Sequence, residues 1–385
     1  MKTTFFVLQE ELEPSAVQQI AETADLDFVE AVAVMPDAHV GKGSTVGSVI
    51  VTKSAIIPAA VGVDIGCGMI AVKTKFFSKD LGDDLKTIRL GIERRIPLSA
   101  GKYNTNQSET ALKRIAVLQE NELDHYHAVT REPWENQLGS LGSGNHFIEI
   151  CLDEDERVWV VLHSGSRGIG NKLAERHIKI AQKLTENEVM ANRDLAWLKA
   201  NQPEFDAYIT DLLWAQKFAL LNREEMMDRV MKELSYYFFK EDGHQSEIEI
   251  ERINCHHNFT QCEHHNDQEL WVTRKGAIEM KEGQLGIIPG SMGTRSYIVE
   301  GLGNPASYNS APHGAGRRFS RGEARRRFTM EDFDRELAGV EVNRSEEFLD
   351  EIPSAYKDID KVMEYAKPLV KVRHTLKQIL NIKGN

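Results

Sequence analysis

Ala60-Val61-Gly62-Val63-Asp64-Ile65-Gly66-Cys67-Gly68-Met69 decides how the rest of the chain is read. The apolar lead-in at residues 55–61 reads as a buried strand or the approach to one. It delivers a carboxylate and a thiol three residues apart, with Gly62, Gly66 and Gly68 around them. Glycines there allow a tight turn or positive φ, so that both side chains converge on one point. Asp64 offers a hard oxygen, and Cys67 a soft sulfur that binds metal as thiolate. The plain alternative is a tight turn with one buried free cysteine, a common place for that residue. Four more polar, mostly glycine-bracketed segments downstream, each supplying a histidine, weigh against it.

The chain has 385 residues, enough for one large domain or two ordinary ones. A net charge of -12 speaks against a basic coat for duplex nucleic acid, though not against a local basic patch. Four cysteines (Cys67, Cys151, Cys255, Cys262) in so long a chain make no disulfide scaffold, and a reduced, cytoplasmic compartment is expected. The apolar run at residues 5–8 is too short for a signal-peptide core, and no run has the length of a membrane span. No membrane association is expected.

Outward from that stretch, apolar periodicity predicts a first helix at 14–24. Strands are expected at 31–34, 46–52, 70–76, 147–151, 158–162, 248–253, 270–274 and entering 286–289. Helices are expected at 79–96, 109–122, 322–337 and 359–380. Residues 172–243 change character: charged, poor in glycine, with Phe205, Ile209, Leu212, Leu213 and Phe218 at helical spacing. Two long helices forming an arm or lid are predicted there, their apolar stripe serving packing. No solenoid repeat or low-complexity linker divides the chain, so the reading is a mixed α/β (α+β) fold. A single catalytic domain spans 1–385, with the helical arm at 172–243 inserted in it.

Buried strands feed polar loops that carry chemistry. His146, His163 and His257 each stand at or beside a strand end, next to Asn or Ser. One such histidine is usually a hydrogen-bonded core residue. Three, with Asp64 and Cys67, favour a metal site. Their wide spacing is not that of a zinc finger. Five candidates exceed one four-coordinate ion, which points to two ions sharing a bridging ligand such as Cys67. Softness favours zinc for sulfur and imidazole, while the aspartate also suits manganese. Cys255, His256, Cys262, His264 and His265 lack the paired short spacing of a local zinc site and read as packing or surface. Asp37-Ala38-His39, on a glycine-rich loop, reads equally as a capped turn or as part of a site.

The glycine-rich loops suit phosphate recognition by bare N–H groups, yet none is a Walker or Rossmann pattern. His313 lies in Pro312-His313-Gly314-Ala315-Gly316 and is followed by Arg317, Arg318 and Arg321. A neutral imidazole there is a competent nucleophile toward phosphorus, and the arginines could hold phosphates in bidentate fashion. The alternative is a turn before a charged helix. Arg325-Arg326-Arg327 extends the positive patch, where an acidic protein could grip a nucleic-acid backbone.

Eight ordered segments then resemble one family across nearly the whole chain. They are PDAHVGKG (36–43), VGVDIGCGM (61–69), GSLGSGNHFIEI (139–150), LHSGSRGIGN (162–171), INCHHN (253–258), VTRKGAI (272–278), PGSMGTRSYIV (289–299) and HGAGRRFSR (313–321). The chain resembles the GTP-dependent RNA-splicing ligases of the RtcB family, with HTLKQILNIKG (374–384) most similar to bacterial members. The resemblance implies two Mn²⁺ ions held by Asp64, Cys67, His146, His163 and His257, with Cys67 bridging. It implies His313 as the residue that is guanylylated, oriented by Asp37. Guanylate contacts implied are Asn145, Pro289, Gly290, Ser291, Met292, Ser296, Gly314, Ala315, Gly316 and Lys383, and RNA phosphate contacts Arg167, Arg317 and Arg321. The implied reaction joins an RNA 3′-phosphate or 2′,3′-cyclic phosphate to a 5′-hydroxyl, in RNA repair or tRNA splicing. GTP is cosubstrate and an archease-like activator a candidate partner; the sequence specifies no oligomeric state. Three departures from the family pattern are Ala311-Pro312 before His313, Arg295 in the 289–299 segment and Asn385 beyond the usual Lys-Gly end. They leave open a specialised repair paralogue. Guanine, RNA, ligation and manganese come from the resemblance; residue chemistry alone leaves a metal-dependent phosphohydrolase, a cyclic phosphodiesterase or a non-catalytic RNA-binding protein as alternatives.

Overall fold

The strand Gly68–Phe77 sorts its side chains to two sides. Met69 and Ala71 enter one apolar cluster and Ile70 and Val72 another, as the pleat requires. The computed structural model describes residues 2–384; Met1 and Asn385, the C-terminal extension noted above, lie outside the described residues. Gly68–Phe77 belongs to a sheet ordered Leu285–Ile288, Ser296–Gly301, Val370–Lys383, Phe147–Leu152, Arg157–Ser164, Gly68–Phe77, Glu249–His256. Glu341–Val342 pairs in parallel beside Val370–Lys383. A smaller sheet runs Thr3–Phe5, Val29–His39, Val46–Thr52, Gln268–Lys275, Asn258–His265.

The two sheets face each other. Ala33, Met35, Val49 and Val51 of the smaller share one core with Met69, Ala71, Val161 and Ile253 of the larger. The outer face of the larger sheet packs on the helices Leu85–Arg95 and Pro203–Phe239 through Ile88, Ile92, Met226, Val230 and Leu234. The smaller sheet's outer face packs on the helix Pro14–Ala24 through Ile20. The mixed α/β architecture is as expected. Among the described residues no helix is long and apolar enough to cross a membrane.

Several expectations change. Residues 359–380 are not one helix: Ile359–Ala366 is helical, and Val370–Lys383 is a strand of 14 residues. Pro368 stops the helix, and the strand lies between two antiparallel partners, Ser296–Gly301 and Phe147–Leu152. Long-range pairing thus overrides a segment whose Leu and Lys suit a helix. Residues 322–337 break into Arg321–Arg327 and Met330–Glu336, because Thr329 caps the second helix with its side chain. The lead-in at 55–61 is a two-residue strand followed by the helical turn Pro58–Val61.

The stretch expected as an arm is core. Its two helices are Arg167–Leu184 and Pro203–Phe239, the latter 37 residues long. Phe205, Leu212 and Phe218 are buried in one cluster and Met226, Met227 and Val230 in another, while Leu213 faces solvent. Both ends of the long helix are therefore packed against the rest of the molecule, and it does not stand off as a lid.

Candidate functional site

Sheet register brings the candidate ligands together. Gly68 pairs with Ser164 and with His256, Met69 with His163, and Phe147 with His163. Cys67, His146, His163 and His257 therefore sit at the same end of four adjacent strands. The His257 and Asn258 amides donate to the Cys67 carbonyl at 2.7 and 3.2 Å, fixing the loop across to the next sheet. Gly68 is needed for closeness: a Cβ there would fall on the Cys255 carbonyl.

At that sheet end Cys67 Sγ lies 3.4 Å from His146 Nε2 and 3.2 Å from His163 Nε2. Asp64 Oδ2 is 3.0 Å from His146 Nε2, and His257 Nε2 is 2.9 Å from His163 Nε2. The thiol thus stands between an Asp64–His146 lobe and a His163–His257 lobe. His146 Nδ1–H donates to the Leu141 carbonyl at 2.9 Å, and His163 Nδ1–H to the Asn145 carbonyl at 3.1 Å. Both rings therefore present Nε2 lone pairs inward, as a metal-bound histidine does when a carbonyl holds its other nitrogen. His146 Nε2 faces a carboxylate oxygen, two acceptors that a bound cation would reconcile. Cys67, His146 and His163 together could hold a metal ion.

The electrostatic surroundings agree with that donor set. Burial first, and then the neighbouring imidazoles, hold His163 and His257 well below the ordinary histidine range, so both are neutral and free to coordinate. Burial, reinforced by the Asp64 carboxylate, pushes the Cys67 thiol up. It would become thiolate only beside a positive charge such as a metal ion.

The imidazoles form a row. Ring centroids are 5.2 Å apart for His146–His163, 5.1 Å for His163–His257 and 4.8 Å for His257–His313. His313 follows the strand Ser310–Pro312. Asp37, expected on a loop, lies within the strand Val29–His39, where a register shift between Val34 and His39 re-aims it. Its Oδ2 accepts from His313 Nδ1 at 2.6 Å, from the His313 amide at 3.1 Å and from the Gly314 amide at 3.3 Å. With Nδ1–H held there, Nε2 of His313 keeps its lone pair. Gly316 sits at φ +74, and a Cβ would strike the Asp37 backbone, so glycine is required where this loop crosses the strand.

Beside His313 opens a cavity of about 220 Å³. Asn145, Pro289, Gly290, Ser291, Met292, Ser296, Gly314, Ala315, Gly316 and Lys383 all line it, with His163 and His257 at one end. Sequence reasoning missed Glu149, Glu351 and Tyr356 in its wall. Burial raises Glu149 to about 8 against hydrogen bonds from Asn381 and Gln378. Glu351 is also buried, but Lys383, Arg321 and Arg317 outweigh burial and hold it below the usual carboxylate range. Alternation on the strand at 147–151 is the signal that could have placed Phe147 and Glu149 together on the cavity side.

The arginines differ from one another. Arg167 opens a helix and places Nη1 3.5 Å from His146 Nδ1. Arg317 donates to Glu351, Tyr356, the Phe319 carbonyl and the Asp350 carbonyl, so most of its fork is spent within the protein. Arg321 pairs with Asp350 and Glu351 at 3.0 and 2.9 Å, remains 42% exposed, and lines both the cavity and an outer opening beside Asp64 and His146. Of the second histidine cluster, Cys255 is core, His256 binds the Gly66 carbonyl, and Cys262 and His264 face solvent.

Comparison with known proteins bears on this arrangement. The family model described as tRNA-splicing ligase RtcB matches residues 19–384. The chain is 46% identical to the RNA-splicing ligase RtcB of Escherichia coli, over 97% of this chain and 95% of that one. It is 30% identical to an Escherichia coli RNA-splicing ligase RtcB2, over 92% of this chain and 87% of that one. With the tRNA-splicing ligase RtcB of Aeropyrum pernix it shares 29% identity, over 94% and 89%.

Proposed function

We propose a reaction for this chain from one premise: it belongs to the RtcB family of tRNA-splicing ligases. It is an RNA ligase. In the reading favoured here it joins an RNA 3′-phosphate or 2′,3′-cyclic phosphate to a 5′-hydroxyl, using GTP and Mn²⁺ through a His313–GMP intermediate. The observation that carries this is His313 itself. Its Nδ1 is held by a buried carboxylate at 2.6 Å, and its ring stands between the donor cluster and a glycine-lined cavity.

Asp64, Cys67, His146, His163 and His257 would hold the two ions, with Cys67 shared. When bound, they supply Lewis-acid neutralisation of phosphate charge. Asp37 keeps the Nδ1 proton and aims Nε2, as the carboxylate of a hydrogen-bonded histidine does. His313 Nε2 attacks the α-phosphorus of GTP; a P–N bond forms as the bond to pyrophosphate breaks. A 2′,3′-cyclic end first adds water, breaking the P–O2′ bond to leave a 3′-phosphate and a 2′-hydroxyl. The 3′-phosphate oxygen then takes the guanylate from His313, forming a P–O–P linkage and freeing the imidazole. The 5′-hydroxyl finally attacks the RNA phosphorus, and GMP leaves. Guanine would favour the ionised form of Glu149 against its burial, since it presents adjacent N1–H and N2–H donors that a carboxylate can accept together, which adenine does not. Arg321, at the outer opening beside Asp64 and His146, is the arginine of the three placed to meet incoming phosphates, while Arg167 stands behind His146.

Incubation with GTP labelled at the α-phosphate and Mn²⁺, then denaturing electrophoresis, tests the reading. Wild type should carry an acid-labile, base-stable label, and His313→Ala none. His313→Ala should still bind metal and still join RNA supplied with GMP already on its 3′-phosphate. An unlabelled wild type that hydrolysed cyclic phosphate would favour the phosphodiesterase alternative.

A further inference from the structure

A groove of about 780 Å³ lies outside the site, between the end of the helix Leu85–Arg95, the loop at 96–108 and the helix Pro203–Phe239. Its cations are Arg94, Arg95, Lys102, Arg229 and Lys232, against one lining carboxylate, Glu93, which pairs with Arg89. Arg95, Arg229 and Lys232 already meet Glu233, Glu225 and Asp242. Among the described residues the side chains of Arg94 and Lys102 make no ion pair or hydrogen bond, and both face solvent. In a chain of net charge -12, this groove is lined by five cations against one carboxylate. Tyr103, half-buried, lines the same groove with the polar Asn104 and Gln107.

The groove is tied to the loop that presents the site. Leu141 N–H donates to the Pro97 carbonyl at 3.0 Å, and Ser99 N–H to the Gly142 carbonyl at 2.9 Å. Asn104 Nδ2 donates to the Leu138 carbonyl at 2.7 Å, and Arg229 Nη1 to the Gly139 carbonyl at 3.1 Å. That loop ends in Asn145 and His146. On its far side Tyr103 borders Gly168, next to Arg167, whose guanidinium reaches His146. Groove and site are thus two sides of one wall.

A ligase must hold two strands at once, and of the arginines near the cavity Arg317 is largely spent on Glu351 and the Asp350 carbonyl, leaving Arg321 to serve one of them. We propose that this groove carries the sugar–phosphate backbone of one of the two RNA strands, with Arg94 and Lys102 on phosphates and Tyr103 as a stacking surface for a base. The proposal rests on the ligase reading above for the identity of the polymer.

The test is Arg94→Glu with Lys102→Glu in the full chain. It is read by fluorescence anisotropy on single-stranded RNA ending in a 3′-phosphate and, separately, RNA beginning with a 5′-hydroxyl. Affinity for one of the two should fall about tenfold or more, and the salt slope by roughly 1.4 for two lost contacts. Formation of protein-bound GMP should be unchanged, which also reports that the variant is folded; Arg94→Gln with Lys102→Gln is the milder pair if it is not. Lys371→Glu with Arg373→Glu, exposed on another strand, is the control. Unchanged RNA affinity and slope, or an equal loss in the control, would overturn the groove. Absence of the GMP adduct in wild type would instead count against the ligase reading and leave the binding result to be judged separately.

Discussion

Asp37 makes three hydrogen bonds to His313 and Gly314, so its charge and its position act on the same histidine. Asp37→Asn keeps the shape but replaces one acceptor oxygen with a donor and removes the charge that favours imidazolium character as Nε2 attacks. The rate of GMP-adduct formation should fall on the order of 100-fold, with metal content unchanged. A time course with labelled GTP and metal analysis of the same sample would check it, and an unaltered rate would remove Asp37 from the reaction. Glu149 gives a pH signature. Its carboxyl is raised to about 8 in the folded state by burial, against about 4.3 when unfolded. Its contribution is fully present below about pH 4, where both states are protonated, and is lost as pH rises through about 8. Between those values the unfolded chain releases a proton that the folded chain retains, so stability declines by a few kcal/mol in all. Glu149→Gln cannot titrate, and its stability relative to wild type should rise between pH 5 and pH 8. Urea midpoints at the two pH values decide this; a difference independent of pH would show that the buried carboxyl is already ionised.

At the scale of elements, legibility followed where the information lies. The strands at 46–52 and 147–151 and the helix at 14–24 were readable because their apolar periods are local. Val370–Lys383 was not, because its state is set by two neighbours far away in sequence. The long helix was recognised as helix but not as core, since a stripe does not say what covers it. Arg223 on that helix shows what the error concealed. The side chain is fully buried and donates to the Gly66 carbonyl at 2.7 Å and the Ser164 carbonyl at 3.1 Å. It also donates to Asn254 Oδ1 at 2.8 Å and meets His256 Nδ1 at 3.1 Å. One guanidinium thus clasps the residue before Cys67 and the residue after His163. Arg223→Met keeps the stem but strands these acceptors, so a loss of about 3–5 kcal/mol in urea unfolding is expected, with weaker metal binding. Arg223→Lys should recover only part of it, because an ammonium cannot match the planar fork. Equal stability of the methionine variant would mean that water satisfies these carbonyls.

For the whole molecule, the donors come from segments around residues 64, 146, 163 and 257, and no short window contains more than two of them. Their types were legible as residues. Their convergence was not, because it depends on antiparallel register that places Gly68 opposite both Ser164 and His256. A cation bound there would link the turn before one strand, the start of a second, the end of a third and the crossing into the other sheet. Metal occupancy should therefore stabilise the fold globally, by mass action on the native state, by about 2.7 kcal/mol when free Mn²⁺ exceeds its Kd a hundredfold. Thermal unfolding of wild type should move up with added Mn²⁺ and down with a chelator. Cys67→Ala removes the one sulfur between the two lobes, only 3.4 and 3.2 Å from the imidazoles on either side. Its apo form should lose only the modest amount expected of a small buried side chain. Its response to Mn²⁺ should be largely abolished, together with the GMP adduct. His313→Ala should keep the full metal response, since His313 lies at the end of the imidazole row and holds Asp37 rather than the donor cluster. If Cys67→Ala kept the wild-type response, the thiol would not bridge the ions. If His313→Ala lost it, the histidine assigned as nucleophile would be a ligand instead.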